Sequence, residues 1–126
     1  MKKSILIAIL SFLFILTGCQ SSSYSINDGR YALSESEADS FGCPLILVKD
    51  GNLVVVQDVT MSYEPSGSFT IDRKKVVMET EYDNESCKWT FILIGDNTMK
   101  FSLEKSNIPS AWDNWKDGMC FTLVEE

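Results

Sequence analysis

Histidine is absent from all 126 residues, and with it go the commonest general base and the commonest metal ligand. A Ser-His-Asp or Cys-His triad is excluded, and no other pair of catalytic groups stands out, so the chain reads as a non-enzyme without a cofactor. Close Cys-x-x-Cys spacing is missing too. The four cysteines are Cys19, Cys43, Cys87 and Cys120, a spacing that does not suit most zinc sites. Asp113 to Gly118 opens like a calcium loop, but Trp115 occupies its third position and the glutamate of its twelfth is missing. Positive charge is scarce, with 11 Lys and Arg against 18 Asp and Glu, which argues against nucleic acid or an anionic lipid surface as the main partner. No long segment carries a helical period. The longest apolar run, Ile5 to Leu16, is too short for a membrane span of about 20 residues.

That run does fit the ~7 to 15 apolar residues of a signal-peptide h-region. Lys2 and Lys3 precede it, and Leu16-Thr17-Gly18-Cys19 closes it. The closing tetrapeptide resembles the lipobox of bacterial lipoproteins. The resemblance implies that residues 1–18 are a cleaved signal peptide and that the Cys19 thiol takes a diacylglyceryl group. Palmitate-class acyl chains then hold the mature chain on the extracytoplasmic face of the cell membrane, or on an outer membrane if the source is diderm. Each buried methylene adds on the order of 0.8 kcal/mol to such an anchor. Cleavage removes Lys2 and Lys3, leaving 9 basic against 18 acidic residues and a net charge of −9. That sign favours basic partners.

With Cys19 lipidated, Cys43, Cys87 and Cys120 are exported into a compartment that permits disulfides. Either one pair forms, Cys43 with Cys87 or Cys120, and one thiol is left over, or all three stay reduced as small hydrophobes.

Residues 19–28 comprise the lipidated cysteine and a short Ser-rich stretch that reads as a flexible tether. From Gly29 to Glu126 the pattern is one small all-β domain of short alternating runs separated by turn residues. Met99, Phe101 and Leu103 alternate with polar residues, as do Met119, Phe121 and Leu123, Val76 to Tyr82, and Phe69 and Ile71. In Lys88 to Ile94 both faces are apolar, so its outer side is expected to be partly covered. Asp50-Gly51 between Leu45–Val48 and Leu53–Val56 signals a hairpin. With Arg30 to Ser34 there are eight strands, and a meander of this size closes most economically into an up-and-down barrel. A β-sandwich is the alternative. Three connections are longer: 36–42, 57–67, where the alternation of Val59, Met61 and Tyr63 with polar residues offers a prolonged third strand as the alternative, and 104–118, with a short helical turn expected over Ser110 to Trp115.

Several phrases, Gly29-Arg30-Tyr31, Gly67-Ser68-Phe69-Thr70-Ile71, Met99-Lys100-Phe101-Ser102-Leu103 and Asn107-Ile108-Pro109-Ser110 before Asp117-Gly118, resemble the small lipocalin-like β-barrel domains of bacterial lipoproteins. The resemblance implies an eight-stranded antiparallel barrel that binds a small apolar ligand or a protein partner.

A barrel of eight strands is either filled by its own side chains or holds one small ligand. The inward set, Tyr31, Phe69, Tyr82, Trp89, Phe91, Phe101 and Phe121, is bulky and points toward a filled interior, which would leave a protein-interaction or inhibitor module without an internal site. Trp112 and Trp115 either form a contact patch, since tryptophan is favoured at hot spots, or plug the barrel end. Trp112, Trp115, Tyr31 and Trp89 are the candidate contacts for a ligand or partner. Arg73-Lys74-Lys75 offers charge to lipid headgroups or a polyanion, and the bland alternative is a solvated turn. Glu79, Glu81, Asp83 and Glu85 line one face at period two, either to attract a cation or basic partner or simply as a wet outer face.

Overall fold

The computed structural model describes residues 24–33, 43–57 and 64–125. It contains eight strands: β1 (Gly29–Ala32), β2 (Leu45–Lys49), β3 (Asn52–Val56), β4 (Ser66–Asp72), β5 (Lys75–Tyr82), β6 (Glu85–Gly95), β7 (Thr98–Phe101) and β8 (Cys120–Glu125). Each pairs antiparallel with its sequence neighbours, and β1 pairs β8 to close the barrel. Closure decides against the sandwich and gives every strand a neighbour on both sides.

The tight turns follow from residues that tolerate positive φ. Asp50 and Gly51 (φ 50° and 81°) and Asp83 and Asn84 (φ 54° and 65°) are two-residue corners whose mirror-image twist matches that of the flanking strands. The registers Lys49↔Asn52 and Tyr82↔Glu85 follow from them. The first extends the expected hairpin by one residue on each side; the second starts β6 at Glu85, three residues before the alternation becomes apolar.

The two rims of the barrel differ. One carries the β2–β3, β4–β5 and β6–β7 turns together with the start of β1 and the end of β8. The other carries the β5–β6 turn and the three longer connections. We call them the turn rim and the plug rim.

Two expectations about the last strands are corrected. β7 stops at Phe101, and Leu103, which continues the alternation of Met99 and Phe101, is 43% exposed. The chain peels away there because the first half of β6 needs a neighbour: Ser102 N donates to Thr90 O (2.9 Å), and Asn107 and Lys88 exchange two backbone hydrogen bonds of 2.8 Å. Ser106 Oγ accepts from Thr90 N, and Thr90 Oγ1 donates to Lys105 O. Thr90 is therefore buried although it faces outward, which is the partial cover expected for β6; Ile94 on the same face is exposed. The second correction concerns Ser110 to Trp115, which forms successive turns and no helix. The 36–42 connection and Val59, Met61 and Tyr63 lie outside the described residues.

Candidate functional site

Alternation along β1, β5, β6, β7 and β8 sends Tyr31, Val76, Met78, Cys87, Trp89, Phe91, Met99, Phe101 and Phe121 into one buried cluster, and Trp112 and Trp115 join it from the β7–β8 connection. Both loop tryptophans are 2% exposed. Trp112 N donates to Pro109 O (2.9 Å) and Trp115 N to Trp112 O (3.2 Å), so two consecutive tight turns carry both indoles into the barrel. Trp112 meets Trp89 and Tyr82 edge-on at centroid distances of 5.3 and 6.0 Å. Trp115 lies 5.1 Å from both Phe101 and Phe121 and 6.2 Å from Phe91. These are the offset and T-shaped separations that aromatic quadrupoles favour.

The plug is fastened from across the mouth. Gln57, just beyond β3, donates through Nε2 to Ala111 O (2.9 Å) and Asn114 Oδ1 (3.3 Å), and Asn114 Nδ2 donates back to Gln57 O (3.1 Å). At its far end Asp117 Oδ1 accepts from Leu103 N. Gln57 and Asn114 were not among the expected site residues; nothing local in the sequence pairs positions so far apart.

Burial bears on the partner half of the candidate contact set. Tyr31, Trp89, Trp112 and Trp115 are all 0–2% exposed, so none presents a surface to a partner. They were singled out for size and aromatic character, which are also the properties that fill a core. Two of them keep a polar oddity: Trp89 Nε1 and Trp115 Nε1 are buried donors with no acceptor among the described residues. Tyr31, by contrast, donates its hydroxyl to Asn27 O at 2.6 Å.

Two depressions of the described surface lie on the outside of the β5–β6 hairpin. One, of about 430 Å³, is lined by Glu79, Glu81, Ser86, Lys88 and Asn107 among others, and another, of about 600 Å³, sits around Tyr82, Asp83 and Asn84 at the tip. Both are open to solvent. Glu79, Glu81 and Asp83 are exposed, as the alternation predicts, while Glu85, which shares the parity of Trp89 on β6, is exposed because it sits at the hairpin tip opposite Tyr82. Among the described residues no group of three Cys, Asp or Glu is placed to hold a metal ion.

Comparison with known proteins adds no relative: no protein family matches the chain, and neither a curated protein nor a solved structure matches it.

Of the two alternatives for the exported thiols, the bridge from Cys43 to Cys87 or Cys120 is not formed, and all three are free. The reason is topological. Cys43 leads into β2, Cys87 is on β6 and Cys120 opens β8, so at least one strand separates any two of them. Next-but-one strands are roughly 9–10 Å apart, whereas a disulfide needs Cα atoms within about 7 Å. Cys87 is buried and Cys120 exposed, matching their opposite parity. Burial pushes the Cys87 thiol above its ordinary pKa, and the nearby Glu85 carboxylate adds to the effect. A raised pKa leaves less thiolate at any given pH. Thiol counting on the denatured, unreduced protein with Cys19 replaced should therefore find three, and on the native protein Cys87 should alkylate more slowly than Cys120. A count of one would restore the bridge.

Proposed function

We propose that this protein is a lipoprotein anchored through Cys19 outside the cytoplasm, acting without catalysis as a protein-interaction module through the outside of a filled barrel. The observation that carries this reading is the packing of Trp89, Phe91, Phe101, Trp112, Trp115 and Phe121 against one another inside the barrel. A barrel of eight strands has little interior beyond what such rings occupy, so recognition falls to the outer surface. The acidic β5–β6 hairpin, with Glu79, Glu81, Asp83 and Glu85 beside open depressions, fits a basic protein partner. The lipobox resemblance at Leu16-Cys19 supports the address, at the extracytoplasmic face of the cell membrane, or at an outer membrane in a diderm source.

One observation favours a second reading, a small apolar ligand held inside. The unpartnered Trp89 and Trp115 indoles would each gain a hydrogen bond from a ligand carrying an acceptor, and an unsatisfied buried donor costs about 1–3 kcal/mol. Titration of the purified protein with a fluorescent apolar probe separates the two. The filled barrel should show no saturable binding and no change in tryptophan emission, and native mass spectrometry should give the mass of the lipidated chain alone. Saturable one-to-one binding that quenches tryptophan would transfer the assignment to the internal ligand.

A further inference from the structure

We propose that the Arg73-Lys74-Lys75 turn is a docking surface for the anionic headgroups of the membrane that holds the protein, setting the barrel upright with its turn rim toward the bilayer. The inference rests on the lipid-anchor reading above and adds an orientation to it.

The chain that leads back to Cys19 leaves the barrel from the same rim as this turn. Asn27 Nδ2 donates to Asn97 Oδ1 in the β6–β7 turn (2.7 Å), Asp28 Oδ2 accepts from Asp50 N in the β2–β3 turn (3.2 Å), and Tyr31 OH holds Asn27 O. Residues 27 and 28 are thus pinned to the turn rim. From Asn27 to Cys19 the chain spans at most about 28 Å when fully extended. The hairpin tip on the plug rim stands about 24 Å further along β5 than Lys75. Surface fields decay over about 8 Å at physiological salt. In an upright barrel the turn rim, from which the leash departs, and not the plug rim, lies in the field of the headgroups.

The turn has the charge to respond. Arg73 and Lys74 are exposed and Lys75 is half-buried. None of the three is engaged in an ion pair among the described residues, so their charge is unspent. The backbone beneath them is fixed, since Leu93 N donates to Lys74 O at 2.7 Å and Arg73 occupies the positive-φ corner at 57°. Asp28, Asp50, Asp72, Asp96 and Glu125 share the rim, and Lys49 at the end of β2 is a lone cation beside Asp50, so the three-residue basic cluster is confined to this one corner. On the opposite rim the β5–β6 hairpin carries Glu79, Glu81, Asp83 and Glu85. An anionic membrane attracts the first corner and repels the second, so the same field that seats the turn presents the acidic hairpin outward to a basic partner.

The test uses the mature lipidated protein in vesicles of phosphatidylcholine alone or mixed with phosphatidylglycerol, after its intact mass has been shown to include the lipid on Cys19. Amides of the Arg73–Lys75 turn should exchange about fivefold more slowly on the anionic vesicles, while those of Tyr82–Glu85 keep the same rate on both. The difference should vanish in high salt and in the triple variant Arg73→Gln, Lys74→Gln, Lys75→Gln, whose unfolding midpoint should match that of the parent. A lipidated protein that exchanges equally on both membranes overturns the docking and leaves the anchor intact. Protection that survives the triple substitution overturns it as well, and so does protection by a soluble polyglycerol phosphate with none on vesicles, which would assign the turn to a wall polymer. A mature protein without lipid on Cys19 removes the anchor and the docking together.

Discussion

Truncating Trp115 to alanine is expected to destabilise the barrel by about 3–5 kcal/mol, the range for removing a fully buried large aromatic. Small domains hold only about 5–15 kcal/mol in total, so the urea midpoint should fall by roughly 2 M if the slope is near 2 kcal/mol per molar. The size of the effect follows from position. Trp115 contacts Phe91, Phe101, Trp112 and Phe121 at once, and no neighbour can close the gap without leaving its own place between strands. Trp115→Phe is the informative control. It keeps an aromatic ring and leaves a small cavity, at a cost of about 1 kcal/mol, but it also removes the buried Nε1–H that has no acceptor, a relief of similar size. It should therefore be close to neutral. Asp113→Ala, at an exposed neighbour in the same loop, should change stability by less than about 0.5 kcal/mol. A cost for Trp115→Ala no larger than that of Asp113→Ala would mean that the indole lies over the mouth as a lid and does not plug it.

The strands were legible where one face of the sheet is wet and the other dry. Val76 to Tyr82 alternates because Val76 and Met78 are inside while Glu79 and Glu81 meet water, and the Asp50-Gly51 and Asp83-Asn84 corners announce themselves through residues that accept positive φ. Closure of the barrel follows from eight such strands with no covering helix. The end of β7 was not legible. Leu103 keeps the period of two, yet the chain turns away because β6 is 11 residues long and β7 only 4, and the unpaired half of β6 draws residues 102–107 alongside it. Which strand outruns its partner depends on register, and a single strand's sequence does not carry that. The role of the loop tryptophans stayed open for a related reason: in a loop, a three-residue spacing of indoles defines no face, so Trp112 and Trp115 suited both a contact patch and a plug. The Gln57–Asn114 clamp that decides for the plug joins residues 57 positions apart, and an amide pair at that distance looks like any two polar loop residues. The thiols stayed open in the sequence for the same reason, since a shared rim brings Cys43, Cys87 and Cys120 to one level while the strand order keeps them apart around the circumference.

Replacing Cys19 by serine is expected to have the largest effect of any single change, and to have it without touching the barrel, because Cys19 precedes β1 and lies outside the described residues. Acyl labelling should disappear and the precursor should keep residues 1–18, since lipidation of the thiol precedes cleavage in the lipoprotein route that Leu16-Thr17-Gly18-Cys19 resembles. An unprocessed precursor can remain in the membrane through its own Ile5–Leu16 segment, so fractionation of that variant alone does not measure the anchor. The Cys19→Ser chain is therefore also exported behind an ordinary cleavable secretory signal in place of residues 1–18. One acyl chain binds a bilayer only marginally, with a constant of about 10⁴ M⁻¹, and durable attachment takes two signals. The released variant keeps at most the weak attraction of the Arg73-Lys74-Lys75 corner, set against a net charge of −9. It should move from the membrane fraction to the soluble fraction with its unfolding midpoint unchanged. If the Cys19→Ser chain still takes up labelled fatty acid, the lipid is attached elsewhere and the assignment of Cys19 fails.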